Sequence, residues 1–86
     1  MVYTLDELKQ IIIPIAQKYE LPAVYIFGSY ARGEARDESD VDVIIQRKGS
    51  KIKGWIMGGF YEDLRKSLGK ELDLITVEAL EQHNVR

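Results

Sequence analysis

Asp40 and Asp42 stand two residues apart in Ser39-Asp-Val-Asp-Val-Ile-Ile45, at the head of an apolar run. Side chains on a strand alternate faces, so this spacing aims both carboxylates the same way. Aspartate is depleted in strands, and like charges side by side repel. At about 4 Å that repulsion is roughly 1 kcal/mol in water and several times more near a protein surface. A cation offsets the cost. Oxygen donors suit Mg²⁺, which takes one or two carboxylates and completes its shell with water and phosphate. Asp73 repeats the theme in Glu71-Leu-Asp-Leu-Ile75. If its strand lies beside that of Asp40 and Asp42, the three carboxylates share one face. Such a set could hold two metal ions about 3.5–4 Å apart, the clamp on attacking and leaving oxygens in phosphoryl transfer.

Gly28-Ser29 follows the apolar run Ala23-Val-Tyr-Ile-Phe27 and precedes a helical stretch. Glycine lets the backbone approach a ligand closely, and a helix start offers unpaired N–H groups. The pair reads as a phosphate cradle, with the Ser29 hydroxyl as an added donor. Arg32 and Arg36 lie three and seven residues beyond Ser29, and either reaches a phosphate if it faces the site.

These residues need a scaffold. Thr4-Leu-Asp-Glu7 reads as a capping box, and Leu5, Leu8, Ile12, Ile15 and Tyr19 follow at helical spacing, which predicts a helix over 5–19. Pro14 inside it predicts a kink or local break. Ala23–Phe27 reads as a strand covered on both faces, because it is continuously apolar. Tyr30–Arg36 is a short helix, Asp37–Ser39 a turn with Ser39 orienting it, and Val41–Ile45 the second strand. Gln46 to Gly54 is polar, basic and glycine-containing, and is read as an exposed, solvated loop. Ile56, Phe60, Leu64 and Leu68 predict a third helix ended by Gly69, with Trp55, Met57 and Tyr61 at the core or its edge. Glu71–Thr76 is the third strand, and Glu78–Gln82 could begin a last helix. The order α-β-α-β-α-β predicts a layered α/β (α+β) fold, a small sheet flanked by helices, as one domain over 1–86. Strand direction is not legible from this pattern.

Gly28-Ser29, ten intervening residues and then Asp40-Val41-Asp42 resembles the signature of the polymerase-beta-type nucleotidyltransferase superfamily. The fuller string, Ile26–Arg36 with Ser39–Val43 and Leu72-Asp-Leu74, resembles its minimal nucleotidyltransferase (MNT) family. The resemblance runs from the first helix to the third strand. It implies a mixed sheet, with Asp40, Asp42 and Asp73 as catalytic metal ligands and Asp73 helping to deprotonate the acceptor. It implies that Gly28 and Ser29 hold a triphosphate; Arg32 is read from its position as a further nucleotide contact, or else as a surface ion-pair partner of Glu34, Asp37 or Glu38. The activity implied is Mg²⁺-dependent transfer of a nucleoside monophosphate, AMP from ATP, to an acceptor hydroxyl. Family members pair with a helical HEPN-domain toxin, as antitoxins that attach AMP to a tyrosine of that partner. Members commonly continue past the third strand with a longer C-terminal helix, whereas little follows Thr76 here. That supports an alternative, a retained fold that neutralises its partner by binding alone.

Composition bounds the rest. The chain has 86 residues and no cysteine, which removes disulfides, cysteine zinc sites and cysteine nucleophiles. A chain this short buries only about 60–65% of its unfolded surface, so a thin core and a partner surface, a second copy included, are expected. Net charge is −2 with mixed signs, which argues against a general nucleic-acid binder. No leader or membrane span is read from the sequence, and a cytoplasmic location is the expectation. Isolated His83 reads as a solvated surface residue.

Overall fold

The computed structural model describes residues 2–84, with side chains through residue 81. His83 therefore has its side chain outside the described residues.

Thr4 and Glu7 form the capping box that starts helix α1, Leu5–Lys18. The Glu7 N–H donates to Thr4 Oγ1 at 3.1 Å, and the Thr4 N–H donates to Glu7 Oε1 at 2.8 Å. Two otherwise unpaired N–H groups are satisfied this way. Thr4→Ala is expected to lower stability by about 1 kcal/mol, read from a denaturant midpoint with unchanged slope. The helix continues through Pro14 without the expected break. The carbonyl that Pro14 leaves unpaired belongs to exposed Gln10, so water can satisfy it.

Strand β1, Ala23–Phe27, leads into the single turn α2, Gly28–Arg32. This turn starts and stops earlier than the sequence suggests, because Gly33 takes φ +73 and ends it. Strand β2 is Val41–Gln46, helix α3 is Ile56–Leu68, strand β3 is Leu72–Thr76 and helix α4 is Val77–Asn84. Gly69, at φ +66, closes α3 as expected.

The sheet order is β1-β2-β3, with β1 antiparallel and β3 parallel to β2. It is a small mixed sheet flanked by helices. Alternation on β2 sorts the faces, since Val41, Val43 and Ile45 are fully buried while Asp42, Ile44 and Gln46 are half-buried. The first set packs with Leu8 and Ile12 of α1 and Phe60, Leu64 and Leu68 of α3, forming the core. Tyr19 and Phe60 meet edge to face there, at 5.3 Å between centroids.

The opposite face is more open, which corrects the expectation for β1. Tyr25 is 55% exposed, so that strand is not covered on both sides. Trp55 also departs from its expected place at the core, being 88% exposed. Among the described residues no helix is long and apolar enough to cross a membrane.

Glu78 fixes the far end of the sheet. Its two carboxylate oxygens accept from the Arg47 and Lys48 N–H groups at 2.9 and 3.1 Å, which holds the Glu78 carboxyl below its ordinary value of 4.5. A lowered folded pKa stabilises the fold at pH values above 4.5, and that contribution is lost as pH falls through the folded value. Glu78→Gln is therefore expected to melt below the parent chain at about pH 7, with the gap closing as pH falls through the folded value, as thermal scans along an acid pH series will show.

Candidate active site

Register places the carboxylates. Asp42 of β2 is the direct partner of Asp73 on β3, and Phe27 of β1 is its partner on the other side. Paired residues on neighbouring strands share a face at about 4.8 Å spacing, so Asp42 and Asp73 stand side by side on the open face. Asp40 lies one residue before β2 and is exposed, as is Asp73, while Asp42 is half-buried. The Asp42 carboxyl is raised above its ordinary value, first by burial and then by the negative charges of Asp73 and Asp40. The Arg32 guanidinium opposes that rise, which places its charge within reach of Asp42. Arg32 itself is ion-paired with Glu34 at 2.8 Å, both side chains being mostly exposed. A pair of that kind contributes little and is easily exchanged for a phosphate.

The glycine-serine bend closes on these carboxylates. Gly28 has φ +71, and a Cβ there would be driven into the Asp42 carboxylate, only 2.9 Å from Cγ and closer still to Oδ2. The bend thus lies directly against Asp42 because position 28 has no side chain. Ser29 and Tyr30 follow within α2, where first-turn N–H groups lack intrahelical acceptors. Tyr30 is buried, and its hydroxyl has no partner among the described residues.

Two braces hold the turn before β2. Ser39 Oγ accepts from the Arg36 N–H at 2.8 Å, in the orienting role read from the sequence. Lys70, which sequence reasoning missed, donates to the Asp37 carbonyl at 2.6 Å and ties the segments preceding β2 and β3 together. Its one signal was a lysine just after the helix-ending glycine.

The donor set fits a hard cation. All three carboxylates offer oxygen, but among the described residues no group of three or more Asp, Glu, His or Cys side chains is placed to hold a metal ion together, so the expected three-carboxylate cluster is not assembled. Mg²⁺ seldom uses an all-protein cage, taking one or two carboxylates and drawing the remainder of its shell from phosphate and water. The side-by-side pair of Asp42 and Asp73, with the bend beside it, is suited to that arrangement.

The structure thus brings the glycine-serine bend at the end of β1 and the single turn it feeds against an acidic pair on the next two strands. Residues 10–85 match the family described as polymerase beta, nucleotidyltransferase, and the chain belongs to that family. Relatives carry the same class of name. A Methanocaldococcus jannaschii protein provisionally named a protein adenylyltransferase is 37% identical over 76 residues, covering 88% of this chain and 81% of the relative. A second such protein from that organism is 35% identical over 86 residues, covering 94% and 84%. The Thermococcus cleftensis protein named protein adenylyltransferase MntA is 30% identical over 83 residues, covering 90% and 81%. No solved structure matches. A nucleoside triphosphate is the substrate class that this family implies.

Proposed function

We propose that residues 1–86 act as one domain that transfers AMP from ATP to a hydroxyl on an acceptor protein. The observation that carries this reading is the Asp42–Asp73 pairing beside the Gly28 bend. The relatives' names support a protein as acceptor. Gly28 and Ser29 would seat the β and γ phosphates through backbone N–H groups and the Ser29 hydroxyl, with Arg32 released from Glu34 to join them. Asp40, Asp42 and Asp73 would hold one or two Mg²⁺ ions, which supply charge neutralisation on the phosphates when bound. Asp73, exposed at the β3 edge, would take the proton of the acceptor hydroxyl. The hydroxyl oxygen forms a bond to the α-phosphorus as the bond to the pyrophosphate oxygen breaks. Bringing the two reactants into line supplies much of the acceleration.

The acceptor in this proposal is a tyrosine of a HEPN-domain toxin, and the chain is its antitoxin in the cytoplasm. The resemblance to minimal nucleotidyltransferases supports that assignment. The test incubates the chain with α-labelled ATP, Mg²⁺ and the helical product of a neighbouring gene. Label on a tyrosine of that product is the expected result. A tight complex that carries no label, and forms equally well with Asp42→Asn, would replace transfer by neutralisation through binding.

A further inference from the structure

The segment from Arg47 to Trp55 carries Arg47, Lys48, Lys51 and Lys53 with no carboxylate, in a chain whose net charge is −2. It lies between β2 and α3, beyond the C-terminal end of β2. Asp42 is near the other end of that strand, four residues or about 13 Å from Gln46. The segment is therefore separate from the carboxylate site.

This loop is built rather than loose. Ile52 is 2% exposed and anchors it in the core. The Lys51 N–H donates to the Tyr19 carbonyl at 3.0 Å, and the Lys51 ammonium pairs with Glu20 at 2.9 Å. Ser50 Oγ accepts from the Ile52 N–H at 3.0 Å. Glu78 spends both carboxylate oxygens on the Arg47 and Lys48 backbone, so the exposed side chains of those two cations project from a fixed base. Arg47, Lys48, Gly49, Ser50, Lys53 and Gly54 line a shallow cavity of about 230 Å³.

Trp55 follows this cavity directly. It occupies the N-cap position of α3 but makes no side-chain cap, and it is 88% exposed. Serine, threonine, aspartate or asparagine would cap there, and an apolar core role would need burial. Neither folding role accounts for a tryptophan at this position. A fixed group of cations beside an exposed indole is the pattern that tracks a phosphate backbone and stacks a base. We propose that the 47–55 loop binds a single-stranded polynucleotide, with Trp55 stacking on one base and Arg47, Lys48 and Lys53 contacting phosphates. The negative charge of the whole chain limits this to a local, modest and salt-sensitive contact, not a broad nucleic-acid field.

Trp55 is the single tryptophan, so its emission reports on the site. The full chain is titrated with 12-nucleotide oligouridylate and oligothymidylate, followed by quenching and by anisotropy of an end-labelled strand. Saturable quenching by either is expected, the tighter one naming RNA or DNA as the source. About three phosphate contacts on a single strand give a log–log salt slope near −2, or about 15-fold weaker binding at 200 than at 50 mM salt. Trp55→Ala should weaken anisotropy-detected binding about 10-fold and Trp55→Phe much less. Lys48→Ala with Lys53→Ala should flatten the salt dependence. These side chains are exposed, and circular dichroism checks that each variant folds. No binding at low salt overturns the proposal. So does full retention by Trp55→Ala, or equal affinity for a duplex, since either leaves only a patch that attracts any polyanion.

Discussion

Asp42→Asn is expected to lower AMP transfer by about 10³-fold while leaving the chain as stable as before, or slightly more so. Asparagine keeps the shape of the side chain but removes the charge that a divalent cation would need. The fold also disfavours the ionised form of Asp42, through burial and through the charges of Asp73 and Asp40. Removing one of two like charges paired across β2 and β3 should contribute about 0.5 kcal/mol of stability at neutral pH. Two measurements check the claim together: label transfer at saturating ATP, and thermal unfolding with and without Mg²⁺. Mg²⁺ at ten times its dissociation constant should stabilise the parent chain by about 1.4 kcal/mol and the variant by much less. An Asn variant that keeps more than a tenth of the activity would remove Asp42 from the chemistry. A variant that loses activity and unfolds would leave the residue with a structural role only.

The scaffold of this site was largely legible in the sequence, for identifiable reasons. Ala23–Phe27 and Ile56–Leu68 were bounded correctly because apolar composition changes sharply at Pro22 and Gly28, and because one apolar residue in four marks a helical stripe ending at Gly69. The two-residue spacing predicts Asp40 and Asp42 on one side, but Asp40 lies just before β2, where strand alternation no longer fixes its face. That Asp73 stands next to Asp42 required the strand order and the parallel β2–β3 register, which are tertiary facts no local pattern contains. Tyr25 was misplaced because a continuous apolar run reads the same on a strand covered on one face or on both. Trp55 was misplaced because a large aromatic beside an apolar stripe reads as core, whereas position 55 precedes the helix and faces solvent. The helix after Gly28 was started late because the sequence does not show that Gly28 itself takes φ +71 and turns the chain at once.

That turn supplies the second large effect. Gly28→Ala should lower transfer by about 10²-fold, and Gly33→Ala, five residues on, should leave it close to the parent value. Both glycines have positive φ, +71 and +73, so alanine at either is strained by about 1–2 kcal/mol. Their surroundings differ. A Cβ at position 33 meets nothing within 4 Å, whereas one at position 28 lands on the Asp42 carboxylate. The backbone strain is thus common to both variants, and the collision belongs to one. Relieving it requires the carboxylate or the bend to move by about an ångström, and a displacement of that size in a reacting array costs roughly 10²-fold in rate. Denaturant unfolding should show similar losses of stability for the pair, and the labelled-ATP assay should separate them. If Gly33→Ala loses as much transfer as Gly28→Ala, general loosening of α2 is the cause, and the close approach of the bend to Asp42 is not what the chemistry requires.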